Sequence, residues 1–164
     1  MDLKRVNRHL FVTRWHVDRA FPADTLRAIE KAIQESHRAH IGQIRFSVEG
    51  ALHIAALDGM SARERAIDVF SELRVWDTEH NNGILIYLLL ADHDVEIVAD
   101  RGVHARVKPR EWEAICRQME ADFTLGKYQT GVLWGIEQVT TLLKRHFPPQ
   151  QEKLDELPSK PAVL

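Results

Sequence analysis

Apolar and polar positions divide this chain into stretches of two different periods. From Asn81 to Gly102 it reads NNGILIYLLLADHDVEIVADRG. Ile84 to Leu90 is apolar throughout, and Val95, Ile97 and Ala99 then alternate with polar or apolar neighbours. The first run is too short to span a membrane and too continuous for a surface helix, so it predicts a buried strand. The break at Asp92-His93-Asp94 is only a few residues long. A connection that short joins antiparallel strands, because a parallel crossover needs a dozen residues or more. The hairpin brings its outer ends, Asn82-Gly83 and Asp100-Arg101-Gly102, side by side.

Alternation recurs in Gln43 to Glu49, with Ile44, Phe46 and Val48 on one face. Elsewhere the period is helical. Pro22 and Asp24 start a helix over about 24–39 whose stripe is Leu26, Ile29, Ile33, His37 and His40. Ser61 and Glu64 form a capping box before Ala62, Ala66, Val69, Phe70 and Leu73. Pro109 opens a helix carrying Trp112, Ile115, Cys116, Met119 and Phe123. A last helix carries Tyr128, Val132, Ile136, Val139 and Leu143, and Phe147-Pro148-Pro149 stops it. The order α-β-α-β-β-α-α predicts a layered α/β sheet with helices on both faces, built from a strand-helix-strand crossover and the antiparallel hairpin. Residues 1–20 form a basic lead-in, 21–148 the domain, and 149–164 an extended or disordered tail without periodicity.

The 164 residues are 45% hydrophobic and 28% charged, which suits one globular domain. The net charge of −2 gives no global field toward nucleic acid, and no nucleic-acid partner is expected. Cys116 is the single cysteine, which excludes an internal disulfide and a Cys-rich zinc site. Its place on a helical stripe makes it a small buried hydrophobe rather than a nucleophile. With neither an apolar leader nor a membrane span, the expectation is a cytoplasmic protein. In the lead-in, Lys4, Arg5, Arg8, Arg14 and Arg19 interleave with Leu10, Phe11 and Trp15. Such a stretch can lie on a phosphate backbone or a membrane surface, but Asp2 and Asp18 dilute it, and docking of its apolar residues on the domain is the plainer expectation.

The segments HIGQIRFSVE, FSELRVWDTEHNNGILIYLLLADHDVEIVADRG and GKYQTGVLWGIEQVTTLLKRHFP resemble the TPM domain family, which includes thylakoid acid-phosphatase-like proteins. The resemblance runs from about Phe21 to Pro148 and is nearest to the bacterial branch lacking signal peptide and membrane anchor. It implies a three-layer α/β/α sandwich with a small mixed sheet. It also implies a possible divalent cation such as Ca or Mg, a weak acid phosphatase activity in some members, and a membrane-associated protein partner of the LemA-like type. Family-like positions are His40, Gly42, Arg45, Glu49, Thr78, Asn82, Gly83, Asp100 and Gly102. The family pattern commonly has carboxylates where this chain has His37 and Gln43, and often an acidic residue where it has Asn81. Each departure removes a hard anionic ligand and weakens the case for calcium.

Parallel packing of the first two strands, with the third running back, gathers His37, His40, Gln43, Thr78, Asn81, Asn82, Asp100 and Arg101 at one rim of the sheet. Asp77 and Glu79 lie in the approach to it. If a cation binds there, Asp100 is the first anionic ligand expected, Asp77 or Glu79 the second, and a histidine the third ligand. The cation would polarise a phosphate and activate a water, with Arg101 as a fork on the remaining oxygens. Each residue also has a plain structural use. His37 and His40 suit a helix C-terminus, and Asp100, Asn81 and Asn82 suit turns. No Gly-rich phosphate loop, nucleophile elbow or HExxH is present. Two functions remain: a ligand- or protein-binding module, which the missing carboxylates favour, and a metal-assisted phosphate-ester hydrolase.

Overall fold

Strand β2 (Gly83–Leu89) is buried along its whole length, as a continuous apolar run requires. It pairs in parallel with β1 (Gln43–Glu49), Gln43 opposite Gly83 and Glu49 opposite Leu89. On its other side it pairs antiparallel with β3 (Asp94–Ala99), Ile84 opposite Ala99 and Leu89 opposite Asp94. A short strand β4 (Ala162–Val163) lies parallel to β1, giving the order β3-β2-β1-β4. The computed structural model describes residues 3–53, 56–57, 59–150 and 155–164.

Among the described residues, seven helices cover the two faces: α1 (Leu3–Phe11), α2 (Arg14–Ala20), α3 (Ala23–His37), α4 (Ala62–Glu72), α5 (Arg101–His104), α6 (Pro109–Thr124) and α7 (Tyr128–His146). Ile44, Phe46, Val48, Ile84, Ile86 and Leu88 face one core with α3, α6 and α7. Leu85, Tyr87, Leu89 and Val98 face the other with α4. The fold is therefore the expected α/β/α sandwich with a small mixed sheet. The alternation in β1 and β3 sets which residues face which layer. No helix among the described residues is long and apolar enough to cross a membrane.

Local signals act where the sequence places them. Ser61 and Glu64 close a reciprocal cap on α4: the Glu64 carboxylate accepts from the Ser61 amide at 2.8 Å, and Ser61 Oγ accepts from the Glu64 amide at 3.2 Å. Pro109 opens α6. Gly83 is required by proximity, because a Cβ there would collide with the Val75 carbonyl oxygen. Gly102 has the same constraint against the Asn81 carbonyl oxygen, at 2.6 Å.

Three features depart from expectation. The lead-in, expected to dock through its apolar residues, is two helices held on the hairpin turn by its basic residues. There Asp92 accepts from Arg5 Nε and from Arg8 Nη2, each at 2.9 Å. Asp100-Arg101-Gly102 starts the single-turn helix α5, with Asp100 as its N-cap. Finally, 155–164 is extended but packed, lying along β1 with Leu157 only 6% exposed; residues 151–154 lie outside the described part.

Candidate functional site

The predicted rim forms at the amino ends of β1 and β2. The Asp100 amide donates to Gly83 O at 2.9 Å and the Gln43 amide to Asn82 O at 3.1 Å, so the three segments meet as the register demands. What the polar side chains do there is mostly to hold backbone. His37 Nε2 accepts from the Ile44 amide at 2.9 Å, which leaves Nδ1 to carry the ring proton, 3.6 Å from Asp155 Oδ1. Asn82 Nδ2 donates to Ile41 O at 2.9 Å, and Thr78 Oγ1 accepts from the Asn82 amide at 3.1 Å. Gln43 Oε1 accepts from the amides of Glu156 and Leu157.

The His37–His40 pair is not the helical i, i+3 pair expected. Helix α3 ends at His37, and His40 lies in the turn beyond it. Both rings are buried, edge to face, with centroids 6.3 Å apart. His40 joins a relay whose direction follows from its far end. Thr140 Oγ1 donates to Ile136 O at 2.6 Å, so Ser36 Oγ must donate to Thr140 and His40 Nε2 to Ser36, at 2.6 and 2.7 Å. A hydrogen-bonded chain of this kind fixes the turn onto α7; it is structural.

The remaining rim residues make exposed contacts. Asn81, at φ 50°, accepts from Arg101 Nε at 2.9 Å. Asp100 Oδ1 accepts from the Arg101 amide at 2.7 Å, as an N-cap does. Asp77 pairs with Arg74 at 2.7 Å. The Glu79 amide donates to Glu156 Oε2 at 2.7 Å. Asp100 Oδ2 and Asn82 Oδ1 are buried acceptors without a hydrogen-bond partner among the described residues. Two such oxygens do not make a cation site. No group of three or more His, Cys, Asp or Glu side chains among the described residues could hold a metal ion. Asp77 and Asp100 are each already engaged locally, so the donor set that the expected cation needs does not converge.

Glu49, whose role the sequence left open, is internal to the fold. It accepts from Tyr87 Oη and from Arg65 Nε, each at 2.8 Å, and ties β1 and β2 to α4. Burial and this carboxylate push the Tyr87 hydroxyl well above its ordinary range.

A wide concavity lies at the other end of the sheet. A cavity of about 1040 Å³ opens between α1, α2 and the start of α7, beside Leu90 and Ala91 at the carboxyl end of β2. In open α/β sheets ligands bind at the carboxyl ends of parallel strands. Its lining includes Arg8, His16, Arg19, His93 and Lys127, and no carboxylate among the described residues. Phe11, Val12, Pro22 and Leu90 supply apolar wall, and Phe11 is 71% exposed. The first turn of the nineteen-residue helix α7 faces the same space with no side-chain cap and no acidic residue, so its amides add to the positive potential. His93 Nε2 lies 3.2 Å from Tyr128 Oη. Burial, helped by Arg8, holds the His93 imidazole below its ordinary value despite Asp92 beside it.

This lining comes from segments 7–25, 90–93 and 126–130, which no sequence period connects. The usable signals were the basic, aromatic lead-in and the position of the hairpin turn after a parallel strand.

A second cavity, about 660 Å³, runs along the edge strand β3 and is lined by Asp94, Glu96 and Glu120 among others. Burial pushes all three carboxyls above their ordinary range. Glu120 accepts from the Val95 amide at 3.2 Å, and Arg63 Nη1 donates to Ile97 O at 2.6 Å. Side chains thus cap the edge groups that would otherwise pair with another strand.

The model of the TPM domain family matches residues 17–142. The fold is similar to that of the BA42 protein from the psychrophilic bacterium Bizionia argentinensis, solved by NMR. The identity is 29%, with 88% of this chain and 95% of that chain covered and a TM-score of 0.76. It is also similar to the N-terminal domain of the cg2496 protein from Corynebacterium glutamicum. There the identity is 11%, 80% of this chain and 78% of that chain are covered, and the TM-score is 0.55, a likeness of fold alone. No curated protein matches.

Proposed function

The chain belongs to the TPM domain family, and from that premise we propose that it acts as a ligand-binding module for an organic anion, rather than as a metal-assisted phosphatase. The observation that carries this reading is the cavity at the carboxyl end of β2, with five cationic or imidazole side chains in its lining and no carboxylate among the described residues. A space of that size suits a small-molecule ligand, and its apolar wall suits one with an organic body behind the charged group. Hydrolysis of a phosphate ester would ask for a nucleophile or an activated water. The rim that was the candidate for it spends most of its polar groups on the backbone.

The test is titration with p-nitrophenyl phosphate, with and without Mg or Ca, read by amide shifts and by release of nitrophenolate. Binding that shifts Gly126, Lys127 and His93 without turnover supports the reading. Turnover that Asp100→Ala abolishes would return the function to the rim and to the hydrolase.

A further inference from the structure

Strand β1 presents two rows. Ile44, Phe46 and Val48 enter the main core. The other row is Gln43, Arg45 and Ser47, which alternation marks as a solvent face. All three are nevertheless buried, Arg45 at 8% exposure and the others at 0%. What covers them on this side includes the 155–164 segment, and the contacts are made largely with its backbone. Gln43 Oε1 accepts from the amides of Glu156 and Leu157 at 3.0 and 3.2 Å. Arg45 Nη1 donates to the carbonyl oxygens of Pro158 and Lys160 at 2.6 and 3.1 Å. Further along, Ser47 and Val48 pair with Ala162 and Val163, and the Leu164 amide donates to Val48 O at 2.9 Å.

Two aspects of this arrangement are unlike a permanent core contact. The guanidinium of Arg45 is desolvated against the carbonyl oxygens of Pro158 and Lys160, and burial lowers its pKa. Arg45 Nε and Ser47 Oγ are buried with no hydrogen-bond partner among the described residues. An apolar row would cover β1 more cheaply than a desolvated cation and two orphaned polar atoms. The same row is, however, well made to receive an extended backbone, since it offers an acceptor, a forked donor and an open strand edge in sequence. The segment it holds sets Leu157 in the second core, packs Val163 against the main core, and carries two prolines three apart, Pro158 and the buried Pro161.

We propose that Gln43, Arg45 and the outer edge of β1 form a peptide-docking groove for an extended partner segment of the pattern Leu-Pro-x-x-Pro, and that residues 155–164 occupy it in cis. Because recognition runs mainly through the partner's backbone, with the Leu side chain as the deepest apolar anchor, a foreign segment with that spacing satisfies the same backbone contacts and the same anchor. The tether makes the chain's own segment a competitor at an effective concentration on the order of millimolar, so a partner displaces it only when it binds more tightly or the cis segment is released.

The experiment uses the full chain and a fluorescein-labelled synthetic peptide with the sequence of residues 155–164, read by anisotropy. A release variant, Leu157→Asn with Leu164→Pro, removes the buried anchor and one backbone donor of the cis segment. This variant is expected to bind the peptide at least about tenfold more tightly than the unaltered chain. Adding Arg45→Gln to it, or placing Asn at the Leu157 position of the peptide, should each weaken binding about tenfold or more. An unrelated peptide keeping only Leu-Pro-x-x-Pro should bind within about tenfold of the native one. A folded release variant that binds no peptide, or one that binds only the native sequence, overturns the proposal. So does a concentration-dependent dimer of the unaltered chain that the free peptide dissolves, since the groove then serves a second copy. Should the release variant fail to fold, hydrogen exchange on the unaltered chain decides. The Glu156, Leu157 and Leu164 amides must exchange at least about 100-fold faster than that of Gln43. Equal protection would show that the segment leaves only on global unfolding and would sink the idea.

Discussion

His9 Nε2 lies 3.1 Å from Asp92 Oδ2, joining the first helix to the turn of the hairpin. His9 Nδ1 accepts from the Leu52 amide at 2.9 Å, so Nε2 carries the proton that faces the carboxylate. Burial alone would push the Asp92 carboxyl up, but Arg5 and His9 outweigh it and hold it below its ordinary value. A carboxyl depressed in the folded state stabilises fully above the unfolded value of about 3.9, and that contribution is lost as pH falls through the folded value. We therefore expect α1 to detach in acid at or below about pH 4. Asp92→Asn should cost about 2 kcal/mol at neutral pH. Urea unfolding of both proteins across pH checks this: the variant should show a shallower loss of stability in acid.

Asp100 tests what the rim is for. Its carboxylate caps α5 through the Arg101 amide. Asp100→Ala should destabilise by about 1 kcal/mol, and Asp100→Asn, which still accepts, by much less. Calcium or magnesium should stabilise the unaltered chain no more than either variant, because no donor set among the described residues converges with Asp100. Thermal melts with and without 5–10 mM cation, roughly a thousandfold above sensor-type affinity, are the measurement. A cation-dependent rise seen only with Asp100 present would contradict the geometry.

Cys116 should be unreactive in the folded protein. Burial, with Glu96 and Glu120 adding, pushes its thiol up to about 12. Since thiolate is the nucleophile, alkylation by iodoacetamide at pH 8 should run at least about 100-fold slower in buffer than in urea. Equal rates would mean that α6 opens readily from β3.

The architecture was legible because its signals are local. A period of two broken by Asp92-His93-Asp94 admits only a hairpin, and the hairpin with a parallel neighbour dictates which residues share the rim. What the rim residues do was not legible. A histidine that accepts from a strand amide and one that binds a metal look the same in sequence, and only the position of the Ile44 amide separates His37 from a ligand. The packed terminal segment was missed for a related reason. It is held by Gln43 and Arg45 through its own backbone, so its side chains carry no periodic pattern. The cavity was missed because its wall is assembled from three distant segments.

His93 joins the cavity to a last prediction. It sits at φ 52° in the hairpin turn, beside Tyr128 Oη, with Arg8 and Asp92 as charged neighbours. Its pKa is lowered, by burial first and Arg8 second. The unfolded chain therefore takes up a proton near the ordinary imidazole value of about 6.5 that the folded chain refuses. The contribution of His93 to stability is full above that value and is lost as pH falls from it toward the folded value. An anion in the cavity acts the other way, because a negative charge nearby favours the protonated ring. Binding should then take up a proton and tighten in acid while the unliganded protein weakens. Benzenesulfonate is the suitable probe, since it keeps one charge across this range. We expect its affinity to rise by about threefold or more between pH 7.5 and 5.5. His93→Asn, which tolerates the left-handed backbone, should flatten both trends. Calorimetric titration gives the affinity and urea melts give the stability. If affinity is independent of pH while His93→Asn still binds as the unaltered chain does, the imidazole does not face the ligand.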